Sequence, residues 1–448
     1  MKVLITGATG LVGKELATEL IIDGHELIIL SRDKERAKAK LNLPADYYNW
    51  EPTSELAPKE AVLKADCVIN LMGENLSAKR WSSKQKEKIY NSRVIGTKNL
   101  VQSINDHRDT PLEVFISTSA IGIYKANTNK PLDEDSAHGD DFLAKVCIDW
   151  ENASKNVNAK RIFNPRLGVV IAPNDGMMAQ VLPLFRMGLG GPIGLGKQMM
   201  SWIHVEDLVK IYKQALSDKQ FKGAFNAVAP QAVTNAKFSK ALSKAIGIPN
   251  YFIAPPFMLK LVFGEMSQLM LDSVHVRALA LEKESFKFNY PTIESAMEDV
   301  CNGTVKEAQY ISRPIDEIIS FFRTPENLSK LTPKEMNFKM LEDSDREVKD
   351  KAIFNYQFSK YGFPMKWQSR IEDDENEAIF VDIQTKGPYK KWVHTHEFHS
   401  SKNGTLILDK VKYNMPFGIL GNLAFPIVQK DISRIFEYRK KALNEIFR

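Results

Sequence analysis

The stretch Val3-Leu-Ile-Thr-Gly7-Ala-Thr-Gly10-Leu-Val-Gly13 constrains this chain more than any other part of it. A short apolar run reads as a buried strand. The run Val12 to Ile22 that follows carries helical periodicity. Three glycines between strand and helix let the backbone turn tightly and come close to a pyrophosphate. The helix start then offers unpaired N–H groups and the positive end of its dipole to that anion. Gly13 permits close packing of helix on strand. Strand, glycine-rich turn and helix, in that order, predict a dinucleotide-binding loop.

The following segments extend the pattern. Glu26 to Leu30, Cys67 to Leu71, Glu113 to Ser117 and Arg161 to Ile171 read as strands, and Ile89 to Ile104 and Phe142 to Asn156 as helices. Such alternation predicts an α/β fold, a doubly wound parallel (Rossmann) sheet with helices on both faces. From about Val305 the period changes. Lys306 to Ile311 and Leu406 to Tyr413 read as strands, and Pro314 to Arg323 as a helix. Phe354, Tyr356 and Phe358 alternate with other residues, as do Trp392, His394, His396 and Phe398. A last long helix carries Val428, Ile432, Ile435, Phe436, Leu443 and Ile446 on one stripe. This predicts a separate antiparallel α+β domain beginning near Asn302-Gly303.

The second strand decides between the two nicotinamide dinucleotides. An NAD site commonly presents Asp or Glu at its end to hold the ribose 2′-hydroxyl. This chain reads Leu30-Ser31-Arg32, with no acid before Asp33. A hydroxyl and a guanidinium suit a 2′-phosphate, so the expected cofactor is NADP. Lys34 and Arg36 would add to the field.

Composition excludes several classes. The net charge of +6 is spread over 448 residues, with basic and acidic residues interleaved, so no nucleic-acid arm is expected. The three cysteines, Cys67, Cys147 and Cys301, are odd in number and far apart. They fit a reducing compartment rather than a disulfide framework. The N-terminus is not a signal peptide, and Tyr251 to Gly264, broken by Pro255-Pro256 and Lys260, is too short to span a bilayer. A cytoplasmic protein with a small-molecule substrate and no membrane span is expected.

Longer motifs add a family. Asn70-Leu-Met-Gly-Glu-Asn-Leu, Ile89-Tyr-Asn-Ser-Arg93-Val-Ile-Gly-Thr97 and Ser117-Thr-Ser-Ala-Ile-Gly-Ile-Tyr124 lie in the first half, with Phe142-Leu-Ala-Lys-Val-Cys-Ile-Asp-Trp-Glu151. Gly188-Leu-Gly-Gly-Pro-Ile-Gly, Ser201-Trp-Ile-His204-Val-Glu-Asp207 and Leu261-Val-Phe-Gly-Glu-Met-Ser-Gln follow. Over about Met1 to Val300 the chain resembles the extended short-chain dehydrogenase/reductases, and within them the epimerase-like branch. The resemblance implies a nucleotide-binding domain over 1–245 and a small extension over 246–302. It implies cofactor contacts at Gly7, Thr9, Gly10, Leu11, Val12, Gly13, Ser31 and Arg32, and at Leu71, Met72, Gly73, Arg93, Ser117 and Arg166. At Arg93 the charge either reaches a phosphate or forms a surface salt bridge.

The same resemblance exposes a gap. Ordinary relatives use a Tyr-x-x-x-Lys pair, in which the lysine lowers the tyrosine's pKa and the tyrosine moves a proton. Counting back from Glu151 places Leu143 and Cys147 at those positions. Lys145 lies on another helical face. Ser119, where relatives keep their catalytic serine, and Tyr124 in the next loop are the candidate catalytic residues. Glu74, Arg80 and Trp81 are expected to face the substrate. His204 and Asp207 could form a hydrogen-bonded pair, although a structural role suits His204 better.

Residues 303–448 resemble the START-like, polyketide-cyclase superfamily, on Lys306-Glu-Ala-Gln-Tyr-Ile, Gly387-Pro-Tyr-Lys-Lys-Trp-Val-His and Pro416-Phe-Gly-Ile-Leu-Gly. That implies a helix-grip domain holding a hydrophobic small molecule. His394 and His396 share a strand face, His399 does not, and no carboxylate cluster completes a site, so no metal is expected. The whole reads as an NADP(H)-dependent oxidoreductase or epimerase-like enzyme of unknown substrate. The alternative is a non-catalytic NADP(H)-binding or redox-sensing module. Oligomeric state is left open by the sequence.

Overall fold

A computed structural model describes residues 1–128, 130–360, 362–374, 378–416 and 418–448. The chain divides into two units. The first comprises residues 1–41 and 45–299, the second residues 42–44 and 300–448. The division thus lies three residues before the expected boundary, and the extension after residue 245 belongs to the first unit.

The strands of the first unit's main sheet are β1 (Lys2–Thr6), β2 (Glu26–Ser31), β3 (Ala45–Asn49), β4 (Cys67–Asn70), β5 (Val114–Ser117), β6 (Ser119–Ala120) and β7 (Ile162–Leu167). β8 (Val169–Ile171), β9 (Met199–Met200) and β10 (Trp202–His204) lie outside it, β11 (Gly223–Ala227) is its last strand, and β12 (Val233–Thr234) is again outside. The sheet order is β11-β7-β5-β4-β1-β2-β3, all parallel, with β6 also on β7. The order reverses between β1 and β4. Crevices at such a point, outside the carboxyl ends of the strands, are where ligands bind in this architecture.

The helices of this unit are α1 (Leu11–Ile22), α2 (Lys34–Leu41), α3 (Lys59–Lys64), α4 (Ser83–His107), α5 (Phe142–Ser154) and α6 (Gly176–Arg186). They continue with α7 (Val205–Ser217), α8 (Asn235–Ile246), α9 (Pro256–Phe263), α10 (Gln268–Leu271), α11 (Leu279–Lys283) and α12 (Ile293–Cys301), the last two residues of which fall in the second unit. Central strands such as β1 and β4 are buried on both faces, which explains their continuous apolar runs. Leu4, Ile28, Val68, Leu100 and Phe115 share one core under the sheet. Each such side chain contributes about 1.5–3 kcal/mol relative to exposure.

Two boundaries differ from the sequence reading for local reasons. α4 starts six residues before the expected Ile89, because the Ser82 Oγ caps it by accepting from the Gln85 N–H. The expected strand 161–171 is two strands. At Gly168 a Cβ would lie 2.9 Å from the Ser201 carbonyl oxygen, so the chain crosses there with no room for a side chain.

In the second unit, β13 (Gly303–Ile311), α13 (Ile315–Phe322) and β14 (Lys339–Met340) precede β15 (Ile353–Lys360), β16 (Phe363–Asp374) and β17 (Ile379–Lys386). β18 (Lys391–Ser401), β19 (Gly404–Asn414) and α14 (Gly418–Ile446) complete it. The strands form one antiparallel sheet in the order β13-β19-β18-β17-β16-β15-β14. Period-two burial along β18 and β19 sends His394, His396 and Phe398, and Ile407, Asp409, Val411 and Tyr413, to one face. α14 buries Phe425, Ile432, Phe436, Arg439 and Leu443. Its apolar stripe is therefore interrupted by one arginine, and Ile446, expected inside, is 40% exposed.

Candidate functional site

Register places four residues in one row at the carboxyl edge of the main sheet. Leu30 pairs with Thr6, Thr6 with Asn70, and Asn70 with Ser117. The segments that leave this row are Gly7–Gly13, Ser31–Arg32, Leu71–Gly73 and Ser117–Ser119, so the edge gathers most of the expected cofactor residues.

The glycine loop is tightly built. Gly7 has φ +71°, and a Cβ there would lie 2.8 Å from the Leu71 carbonyl carbon. A Cβ on Gly13 would lie 2.3 Å from the Gly7 carbonyl oxygen. Gly10 precedes α1 with no side chain capping the helix. The first-turn amides therefore have no intrahelical acceptor, which is the donor set an anion needs. Leu11 and Val12 are partly exposed, and the Lys40 ammonium holds the loop by donating to the Thr9 carbonyl at 2.8 Å.

At the end of β2, Asp33 is occupied elsewhere. Its Oδ1 accepts from the Arg36 N–H at 2.9 Å at the start of α2. Arg32 is exposed and makes no hydrogen bond or ion pair among the described residues. Ser31 is half-buried, its hydroxyl within 3.2 Å of the Asp33 carbonyl oxygen.

Beneath the edge lies a buried network that the sequence reading missed, although Asn70 opens one of its motifs. The Asn70 side-chain oxygen accepts from the Thr6 hydroxyl at 2.7 Å. Its amide donates to the Thr97 hydroxyl at 2.8 Å and the Ser117 hydroxyl at 3.2 Å. The Trp150 indole N–H donates to the same Thr97 oxygen at 3.0 Å. Ser117 is fully buried in this network. Asn70 thus ties β1, β4 and β5 to α4 and α5 just below the site.

Ser119 is 1% exposed, and its hydroxyl has no hydrogen-bond partner among the described residues. A buried hydroxyl without a partner costs about 1–3 kcal/mol, so this one calls for a partner from outside the chain. Cys147, at the vacated lysine position, is buried, and burial pushes its thiol up to about 12. Arg93 lies close enough to act electrostatically on that thiol. One guanidinium nitrogen donates to the Glu74 and Ile89 carbonyls at 3.1 and 3.2 Å, and the group stacks 5.3 Å from the Trp150 ring centre. A Cβ on Gly73 would come within 2.9 Å of it. Arg93 therefore forms no surface salt bridge; it fills the side-chain space that Gly73 leaves open. Met72 is buried, with its sulfur packed against Gly96 of α4.

Four expectations are corrected. Tyr124 is 1% exposed; its phenol donates to the Asn226 side-chain oxygen at 2.8 Å and accepts from Arg166 at 2.7 Å. Burial pushes that phenol up to about 12, which suits a structural group better than a proton donor. Arg166 is engaged in the same place and 4% exposed, paired with both Glu151 oxygens at 2.8 and 3.0 Å and with the Glu134 carbonyl at 3.1 Å, which suits a structural ion pair better than a cofactor contact. Trp81 is buried and edge-on to Phe142 rather than facing a cleft. His204 and Asp207 do not pair. The His204 Nδ1 accepts from the Glu206 N–H at 3.2 Å, capping α7, while Asp207 accepts from the Asn289 and Tyr290 amides at 2.6 and 2.9 Å. The structural reading of His204 is the one realised.

In the second unit, β18 and β19 bring a carboxylate to the two histidines that the sequence could not supply. His394 Nε2 and His396 Nδ1 lie 3.0 and 2.7 Å from the same Asp409 oxygen, and Arg439 donates to that oxygen at 3.0 Å. Burial would raise the Asp409 carboxyl, but Arg439 and both imidazoles hold it well below the usual range. Burial lowers both histidines, His396 to about 3. The three ligand-type atoms lie within 4.8 Å of one another. The Arg439 guanidinium already places a positive charge against this set, where a metal ion would otherwise bring one. His399 is apart, 3.3 Å from Glu397. Nearby on the sheet, burial raises the Asp382 carboxyl to about 7.

Comparisons with known proteins agree with the first unit. The model of the NAD dependent epimerase/dehydratase family matches residues 3–228, and a domain of unknown function, DUF1731, matches residues 254–300. The chain is 34% identical over 306 residues to the Epimerase family protein SDR39U1 homolog, chloroplastic, of Arabidopsis thaliana, covering 67% of this chain and 86% of that one. Among solved structures it is similar to human epimerase family protein SDR39U1 (isoform 2) with NADPH, at TM-score 0.61 and 29% identity, covering 67% of this chain and 99% of that one. It is also similar to a nucleoside-diphosphate sugar epimerase from Corynebacterium glutamicum, at TM-score 0.55 and 33% identity, covering 67% of this chain and 58% of that one.

Proposed function

We propose a function for the first unit from one premise: the chain belongs to the NAD dependent epimerase/dehydratase family. The unit binds NADP(H) and acts on a small-molecule substrate as an oxidoreductase or epimerase-like enzyme. The observation that carries this is the coincidence, at one sheet edge, of an uncapped helix start with an Arg32 and a buried Ser119 hydroxyl that have no partner among the described residues. The donor chemistry of these groups suits a dinucleotide carrying a 2′-phosphate. The amides at the start of α1 hold the diphosphate, Ser31 and Arg32 the 2′-phosphate, and the backbone of Leu71–Gly73 flanks the loop. The human relative's NADPH supports the choice of dinucleotide.

When bound, the nicotinamide supplies or accepts a hydride. The chain's own part is to place the substrate oxygen against the Ser119 hydroxyl, which donates a hydrogen bond to it. Arg93, beside Cys147, returns a positive charge to the region where ordinary relatives have their lysine. Proton movement then falls to Ser119 and water, because the tyrosine position is Leu143 and Tyr124 is spent. Three buried, unbridged cysteines support a cytoplasmic setting. For the second unit, the resemblance to START-like domains supports a hydrophobic small-molecule ligand.

The test follows NADPH absorbance during incubation with fractionated small metabolites. Wild type is expected to oxidise NADPH with at least one fraction. Ser119→Ala is expected to slow that rate about 10²–10³-fold with NADPH affinity unchanged. Tight NADPH binding with no oxidation in any fraction would replace the enzyme by the rival reading, a non-catalytic NADP(H)-sensing module. The missing Tyr-x-x-x-Lys pair is the observation that favours that rival.

A further inference from the structure

α9 reads Pro-Phe-Met-Leu-Lys-Leu-Val-Phe, yet none of its residues is buried. Phe257 is 70% exposed and Leu261 74%, and just before the helix Tyr251 is 90% exposed. A second segment runs beside it. Gly194 donates to the Ala254 carbonyl at 2.9 Å, and Ala254 donates to the Pro192 carbonyl at 2.9 Å. That segment exposes Met187, Leu189 and Leu195, the last at 80%. Single exposed apolar residues are ordinary, but two adjoining segments of them form a continuous patch of the kind that marks an interaction surface.

Charge selects the partner. From Gly176 to Val205, and again from Lys219 to Gly264, the sequence contains no Asp or Glu. The same stretches expose Lys197, Lys240, Lys244 and Lys260, none in an ion pair among the described residues. The first acid beyond the patch, Glu265, is already paired with Lys86 at 2.5 Å. An apolar surface whose own segments carry cations and no acids matches an anionic lipid bilayer, where apolar side chains enter the acyl boundary and lysines meet the headgroups. No helix among the described residues is long and apolar enough to cross a membrane, so the contact is peripheral.

We infer that the lobe built from residues 184–197 and 251–263 docks on an anionic membrane surface, inserting Tyr251, Phe257 and Leu261. The probe is flotation of the full chain with vesicles of pure phosphatidylcholine, or of phosphatidylcholine and phosphatidylglycerol in equal parts. Wild type is expected to float with the anionic vesicles at least about tenfold more than with the neutral ones, and less as salt is raised. The double variant Phe257→Asp, Leu261→Asp is expected to lose at least about tenfold of that binding. Its melting curve should stay unchanged, because neither side chain is buried. Lys260→Glu is expected to narrow the preference for anionic lipid. Wild type that floats with neither vesicle overturns the inference, as does binding indifferent to the double variant. A dimer in sedimentation that the double variant disperses also overturns it, by assigning the patch to a second copy.

Discussion

Gly13→Ala is expected to weaken NADPH binding at least about a hundredfold, or about 3 kcal/mol. The cause is local and rigid. The added Cβ would lie 2.3 Å from the Gly7 carbonyl oxygen and 2.7 Å from the Ala8 Cα, and neither is a flexible side-chain end. The loop must lift from α1, which pulls apart the amides that we assign to the diphosphate. Gly7 cannot follow freely, because its own Cα side faces the Leu71 carbonyl. Overpacking of this kind also destabilises a fold by about 1–3 kcal/mol. Calorimetric titration of the variant, with a melting curve to confirm that it is folded, checks the expectation. Binding within a fewfold of wild type would show that the loop does not carry the nucleotide.

The second large effect is expected at Arg439→Met. Arg439 is 6% exposed, bonded to Asp409 and lying 5.0 Å from the Phe322 ring centre. Removing one partner of a buried pair costs about 3–5 kcal/mol, because the other charge is left uncompensated. In a chain of two units a single unfolding free energy is poorly defined. Hydrogen exchange along β18 and β19 is therefore the suitable readout, with protection expected to fall about 10²–10³-fold near pH 8. In wild type burial lowers both histidines, so their contribution to stability falls as pH drops below about 6.5. Replacing Asp409 and Arg439 together by apolar residues should cost much less than either change alone. Unchanged protection in Arg439→Met would mean that the pair contributes nothing to this unit.

What the sequence disclosed and what it hid follows from distance along the chain. The strand, the glycines and the helix of the nucleotide loop lie within about twenty residues, so local geometry and periodicity sufficed to read them. The end of β2 at Ser31 lies within the same local reach. Side-chain roles set by remote partners were not legible. Tyr124 stood in a loop beside the expected active serine, but its phenol is held by Asn226, 102 positions away. Nothing beside Arg166 in sequence announces Glu151, its partner 15 positions away. His204 and Asp207 lie on one motif, yet the groups that satisfy Asp207 come from residues 289 and 290. In the second unit the alternation of β18 correctly placed His394 and His396 on one face. Their carboxylate, Asp409, is set by the register of β19 and their cation, Arg439, by the docking of α14, neither of which period-two patterning contains. Arg439 also broke the expected apolar stripe, since a helix can bury one charged residue wherever the facing sheet supplies its counter-charge.

The central claim is that one dinucleotide lies across the row formed by Leu30, Thr6, Asn70 and Ser117, with its extra phosphate on Arg32. Isothermal titration of wild type and Arg32→Ala with NADPH and with NADH tests it most directly. Wild type should bind NADPH at least about tenfold more tightly than NADH, and Arg32→Ala should erase that preference mainly by weakening NADPH. Equal affinity of wild type for both dinucleotides, or a preference that survives the loss of Arg32, would contradict it.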